Sequence, residues 1–430
     1  MGVQAIREAG PTTDLRAARL ALLGIFLLNG VGIASWAAHV PTVKQKFALS
    51  DAALGVALLA MAVGSVGALL LGGRLVARYG SRAVLLTGAI GFCVILPLLL
   101  LAPVLALLLA LLACFGACTG AMEVAANVEA FRVEERYGRP IMSSFHALFS
   151  VGGLLGAAVA GLALARGVLG VAHMAGVALG LMALTAWGAP RMLPADPESR
   201  AAGSAIALPT GPLFGLGVLA FCCLVAEGAM ADWSAVYLRD SLGTGPGFAA
   251  AGYAAFSVAM AAGRLGGDTL RTRLRAVPLI RISGTFAAIG LGVAVLVAHP
   301  LAALVGFACV GLGLANIVPV LFAAAGRTPG TAVGTGVAAV ASAGYFGFLV
   351  GPPVIGFVAQ LTSLAGGLGL VAALIALLAL LAGGAARADA PDREANCSYH
   401  GCGPVHSPLQ PSPTDEGPTA TGEDHATSIY

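Results

Sequence analysis

The interval AVLLTGAIGFCVILPLLLLAPVLALLLALLACFGACTGAM, residues 83–122, holds no Asp, Glu, Lys or Arg. A helix crosses the hydrocarbon core of a bilayer with about 20 apolar residues. The interval is therefore long enough for two crossings, and Pro103 marks the turn between them. Residues 282–326 and 328–386 are two more charge-free intervals of the same kind. Their turns are expected at His299-Pro300 and at Ala365-Gly366-Gly367. Apolar stretches of single-span length sit at 17–41, 52–73, 141–165, 167–190, 210–238 and 247–270. Three pairs and six single spans make twelve.

The composition of the whole chain agrees. Of 430 residues, 58% are hydrophobic and only 10% are charged, against about 25% charged in a typical soluble domain. The mean hydropathy is +0.92. These values exclude a water-soluble enzyme, a nucleic-acid binder and a disordered chain. Of the eight cysteines, Cys93, Cys114, Cys118, Cys222, Cys223 and Cys309 lie in apolar stretches, and Cys397 and Cys402 lie in a polar segment. No secreted disulfide framework has that distribution. The apolar run after residue 15 is too long for a signal-peptide core, so it is expected to be the first membrane span.

Charge placement tests the span count. With the N-terminus in the cytoplasm, only Lys44, Lys46, Arg166 and Arg239 fall outside, which leaves 19 of the 23 basic residues (23 minus 4) inside. A wrong count would scramble that asymmetry. Twelve spans put both termini in the cytoplasm. Residues 191–209, with Pro194, Asp196, Pro197, Glu198, Arg200 and Pro209, form a cytoplasmic linker between spans six and seven. Residues 387–430 are rich in Pro, Ser, Thr and acids with no apolar period, and are expected to be a disordered cytoplasmic tail. The expected units are a segment 1–15, a six-helix bundle 16–190, the linker, a second bundle 210–386, and the tail.

The two bundles echo each other. Gly73-Arg74-Leu75 matches Gly263-Arg264-Leu265, and Asn127 matches Asn316. Gly156 and Gly161 match Gly351 and Gly356, both at a shift of 195 (351 minus 156, 356 minus 161). Asn29-Gly30 before Trp36 resembles Glu227-Gly228 before Trp233. Two six-helix halves in parallel repeat describe the major facilitator architecture. The run from Gly73 to Arg82 resembles that superfamily's signature in the loop after the second span, with Ala77 or Arg78 near the place of its usual acid. Gly263 to Asp268 is the second copy, and it keeps an acid. The resemblance covers roughly residues 16–386. It implies an all-α membrane protein of two pseudo-symmetric bundles that moves a small molecule across the bilayer, works as a monomer and is not an enzyme.

A closer resemblance is to the fucose permease group. Glu123-Val124-Ala125-Ala126-Asn127, followed by Ser144-Phe145-His146-Ala147-Leu148-Phe149-Ser150, is similar to that group's fourth and fifth spans. It implies a proton-linked acid at Glu123 and a sugar-like cargo. The group carries a second essential acid in the first span, where this chain has Asn29. The run Glu227 to Ser234 resembles an uncharacterised bacterial inner-membrane branch of the superfamily.

Ionisable groups at bilayer depth cost several kcal/mol and are functional candidates by default. Glu123, Glu227 and Asp232 qualify. Gly116, Gly120, Glu123 and Asn127 share one helix face, where two glycines admit a neighbouring helix or a solute. A carboxylic acid in a low-dielectric cavity can load and release a proton near neutral pH. Glu123 and Glu227 are the expected proton carriers; the structural alternative for each is a buried, hydrogen-bonded brace. Asn29, Asn127, His146, Asp232, Trp233, Asn316 and Tyr345 are the expected cargo contacts. Amides both donate and accept but also glue membrane helices together. Trp233 and Tyr237 can stack on a sugar ring or belong to an interfacial belt. Arg74, Arg78, Arg82, Arg264 and Asp268 are expected to gate the cytoplasmic side by bonding helix ends and carboxylates.

Cys397, His400, Cys402 and His406 lack a second ligand pair at standard zinc spacing. No zinc-protease motif, P-loop or dinucleotide fingerprint is found. No cofactor, metal or nucleic-acid partner is expected, only a small solute, protons and the bilayer. The glycine- and alanine-rich, lysine-poor composition suggests a high-GC bacterial genome, and the resemblance to the inner-membrane branch implies a bacterial inner membrane. Two rival readings stand: an exporter of amphipathic compounds, and a transporter-like sensor that signals without flux.

Overall fold

The computed structural model describes residues 15–138, 141–193, 209–329 and 333–389. The calls on residues 1–14, 194–208 and 390–430 lie outside the described residues; residues 387–389, expected to open the disordered tail, instead end a 3-10 helix, Leu381–Asp389. Among the described residues, twelve helices are long and apolar enough to span a membrane. They are α1 Leu15–Lys46, α2 Asp51–Tyr79, α3 Ser81–Leu101, α4 Leu105–Tyr137, α5 Ser144–Ala165 and α6 Gly170–Arg191 in the first half. The second half holds α7 Pro212–Ser241, α8 Pro246–Gly267, α9 Ala276–Val297, α10 Pro300–Gly326, α11 Thr335–Leu361 and α12 Leu364–Ala386. No strand occurs among the described residues.

Local chemistry sets the ends. Ser50 caps α2 by accepting the Ala53 N–H at 3.2 Å. Gly80, at φ 84°, ends α2 and opens α3, a conformation that costs glycine little. His299 Nδ1 accepts the Leu301 N–H at 3.2 Å, and Pro300 takes the first position of α10. The last turn lies earlier than expected. Ser363 Oγ accepts the Gly366 N–H at 3.1 Å, which starts α12 at Leu364 and puts Ala365, Gly366 and Gly367 inside the helix. A cap that satisfies orphan N–H groups outweighs the helix-weakening glycines behind it.

Without a hydrophobic force between helices in lipid, close packing decides which neighbours meet. The repeat is visible in the contacts. A side chain at Gly116 would run into Met61 O, pinning α4 on α2; one at Gly311 would run into Phe256 O, pinning α10 on α8. Gly30 lies against Phe149 O between α1 and α5, and Gly347 against Phe221 O between α11 and α7. Gly156 of α5 faces Val31 of α1 and Gly161 faces Gly247 of α8. Their counterparts Gly351 and Gly356 face Val225 of α7 and Asp51 of α2. In each half, therefore, one glycine packs α5 or α11 on its own bundle and the other packs it on the opposite bundle. The largest side chains at the core are Trp233, Tyr237, Phe92, Phe115, Phe145 and Phe307. Large apolar side chains such as Leu265 and Leu296 are 74% and 85% exposed, which suits a surface solvated by lipid.

Candidate functional site

The polar centre forms where α4, α5, α7, α8 and α11 meet. Glu123 stands near the middle of α4. Its Oε1 accepts a hydrogen bond from Tyr345 Oη, near the middle of α11, at 3.2 Å. That bond joins the first half to the second. Glu227 stands near the middle of α7, with its Oε1 3.6 Å from Arg264 Nη2 of α8. Arg264 also donates from Nη1 to Ser150 Oγ of α5 at 3.1 Å. One guanidinium thus serves a carboxylate of its own half and a hydroxyl of the other, a use of its forked donors that a lysine would not reproduce. Glu123 and Glu227 are close enough for their charges to interact.

Other polar groups surround these. His146, one turn before Ser150, lies edge-on to Phe26 of α1, with ring centroids 5.3 Å apart, and within electrostatic reach of Arg264. Tyr253 and Ser257 of α8 are hydrogen-bonded, and Tyr253 senses Glu227, Arg264 and Asp232. Gly153 of α5 lets Ser257 approach. The side-chain oxygen of Asn29 in α1 is buried with no hydrogen-bond partner. A buried, unsatisfied carbonyl oxygen costs about 1–3 kcal/mol; Trp233 Nε1 and Tyr237 Oη are buried without a partner as well.

Several expected contacts lie elsewhere. Gly116 and Gly120 do not open a face to solute: they carry α2, whose Met61 and Ser65 carbonyls press on them. Asn127 Nδ2 donates to Glu123 O of its own helix at 2.8 Å. Asn316, its counterpart, interrupts α10 between Leu314 and Ile317 and donates to Gly263 O of α8 at 2.9 Å. The two asparagines therefore act differently: one on its own helix, the other as a brace between α10 and α8. Trp233 and Tyr237 are 0% and 1% exposed. They sit in the packed core and face neither lipid nor an open cavity; Tyr237 meets Phe307 edge-on at 6.3 Å.

The loop signatures also divide. Arg82 Nη2 donates to Ala189 O at the end of α6, at 2.8 Å. Arg78 stacks over Tyr79 at 5.3 Å, and Arg74 and Arg78 are exposed. Arg264 is not at a helix end. The helix itself runs on past the spanning segment α8 as Ala251–Arg273, so Arg264 precedes its last residue by nine positions (273 minus 264), or about 14 Å at 1.5 Å per residue. The side chain of Asp268 lies outside the described residues. Sequence reasoning quoted Ser150 within the run Ser144–Ser150 without giving it a role, and it passed over Tyr253 and Ser257, whose only signal was their position in a helix that carries glycines. It also passed over the stacked pair His39–His173, with ring centroids 5.1 Å apart, although two intramembrane histidines were legible in the sequence.

The chain matches the family model of the Major Facilitator Superfamily over residues 20–336. It is 40% identical over 355 residues to an uncharacterized MFS-type transporter of Yersinia pestis, covering 82% of this chain and 92% of that one. It is 38% identical over 363 residues to an uncharacterized transporter of Sinorhizobium fredii, covering 82% of this chain and 95% of that one. Among solved structures, a D-xylose–proton symporter superposes with a TM-score of 0.69 at 15% identity, covering 86% of this chain and 97% of that one. The E. coli fucose:proton symporter does so at 0.54 and 17%, covering 85% and 97%. At such identities these two likenesses speak for the fold alone. With the matched family model and relatives joined to twelve spans in two echoing halves, the chain belongs to the major facilitator superfamily and is a multi-pass membrane transporter, not an enzyme.

Proposed function

We propose that the protein carries a small polar solute, a sugar or sugar-like metabolite, across a bacterial inner membrane by alternating access coupled to protons. The observation that supports this best is the Tyr345–Glu123 hydrogen bond, because it joins the two halves at mid-depth. A hydrogen bond to an ionised carboxylate is roughly twice as strong as one to a neutral group. Protonation of Glu123 would therefore weaken a bond that spans the two bundles, and deprotonation would restore it. That makes proton loading a condition for rocking residues 16–190 against 210–386 around a midplane site. Glu227 shares its charge with Arg264 and would set the polarity of the site while Glu123 carries the proton. Asn29, His146 and Asp232 remain the cargo contacts of this reading. Both termini lie in the cytoplasm, on the side of the 19 basic residues left when four of 23 are outside. Two fold neighbours are named as sugar–proton symporters, so sugars are the first solutes to try.

The test uses proteoliposomes that contain a pH dye, a panel of sugars and small metabolites, and wild type beside Glu123→Gln. A solute-evoked pH change in wild type that disappears in the variant is the expected result. Flux that persists in the variant would move the proton to Glu227 or to no residue. Silence of a folded wild type across the panel would overturn the sugar reading in favour of amphipathic export or sensing.

A further inference from the structure

The chain has only two lysines, Lys44 and Lys46, both in the last turn of α1, at the end away from the arginine-rich loops. They do different things. Lys46 Nζ donates to Leu100 O and Ala102 O, each at 2.7 Å, and so caps the end of α3 within its own half. Lys44 Nζ lies 2.5 Å from Asp51 Oδ1 of α2 and 2.7 Å from Asp240 Oδ2 of α7. Asp51 belongs to the first half and Asp240 to the second. The three side chains are 14%, 21% and 27% exposed, so the cluster is shielded but reachable by water. Arg239, next to Asp240, is committed to Thr244 O at 3.2 Å and does not compete for it. At the same end the halves touch backbone to backbone, Gly356 of α11 on Asp51 of α2 and Gly247 of α8 on Gly161 of α5.

We propose that Lys44, Asp51 and Asp240 form a latch on the extracytoplasmic side. The Lys44–Asp240 arm holds the halves together while the central site is closed to the outside, and it opens when the site faces outward. The choice of residue fits the task. A lysine ammonium is a compact charge with three donors, able to serve two carboxylates at once. When the halves part, Lys44 keeps Asp51, and Asp240 passes into water. No charge is stranded, so the switch is cheap in both directions. Lys46, anchored to α3, keeps the end of α1 in place meanwhile.

This inference rests on alternating access but not on the identity of the cargo or of the proton carrier. Its test needs neither. Full-length protein in liposomes is exposed to a membrane-impermeant amine-acylating reagent, and acylation of Lys44 relative to Lys46 is read by peptide mass spectrometry. Asp240→Asn should raise acylation of Lys44 about fivefold or more over Lys46. Salt at 1 M, where the screening length falls to about 3 Å, should move wild type the same way. An unchanged ratio in Asp240→Asn would overturn the latch. So would an equal rise at both lysines, which would mean that the end of α1 frays rather than that the halves part. Because the readout involves no flux, a failed latch and a failed transport reading are told apart.

Discussion

Tyr345 and Arg264 are the residues whose positions matter most at the atomic scale. Tyr345 looked like a cargo contact from sequence, yet its hydroxyl donates to Glu123 across the bundle interface. Tyr345→Phe removes that one donor and keeps the ring. A hydrogen bond to a charged group contributes about 1.5–3 kcal/mol, so coupled flux should fall roughly tenfold or more. Solute binding measured without a proton gradient should change little, because Asn29, His146 and Asp232 are untouched. A cargo contact would show the reverse pattern, weaker binding with coupling retained. Arg264 teaches a related lesson. The first-half copy, Arg74, is exposed, whereas Arg264 reaches Glu227 and Ser150. The repeat in sequence put both in loops of one kind. Their roles differ because Glu227 in α7 has no acidic counterpart in α1, where Asn29 stands.

Among the elements, the pairing of α2 with α4 shows how glycines define this fold. Gly64 lies against Ala113 O, and Gly116 against Met61 O, so the two backbones approach within the reach of a single added carbon. Gly116→Leu forces side-chain atoms into a backbone carbonyl that cannot yield. Overpacking of this kind costs about 1–3 kcal/mol or more. The variant should lose thermal stability in detergent and yield less folded protein; fluorescence-detected size exclusion after heating would show it. Unchanged stability would mean that the helices are free to separate, contrary to the packing seen. The break of α10 at Asn316 belongs to the same scale. Its amide spans to Gly263 O, and Gly267 leaves room for it, so the second signature copy serves as a seat for α10.

For the molecule as a whole, the two bundles meet at the Glu123–Tyr345 bond, at the Arg264–Ser150 bond and at the Lys44–Asp240 pair. The first two lie in the central site and the third at the arginine-poor end. All three are small polar contacts across a surface where helices of the two halves also pack through glycines such as Gly161 and Gly356, an arrangement suited to a two-state rocker. Removal of residues 390–430 should leave solute-evoked flux within about twofold of wild type, because the helices that build the site end before that segment. Flux measured in the same proteoliposomes checks this. Loss of transport, or of a downstream output with transport intact, would favour the sensor reading over the carrier.

The sequence by itself determined the span count, the repeat and the acids that lie within spans. The reason is that a bilayer imposes a length, a charge asymmetry and a cost for ionisable groups that a single chain must obey locally. Residues 83–122 needed no partner to be read as two spans. Glycine spacing announced close contacts as well, but not their partners: Gly116 and Gly120 were legible as a face for a neighbouring helix or a solute, and only packing showed that α2 takes it. Partners across the two halves were beyond the sequence, because Glu123 and Tyr345 are 222 positions apart and Lys44 and Asp240 are 196 apart. No periodicity links such residues. The tertiary structure alone decided which acid meets a tyrosine, which meets an arginine, and which lysine joins the two halves.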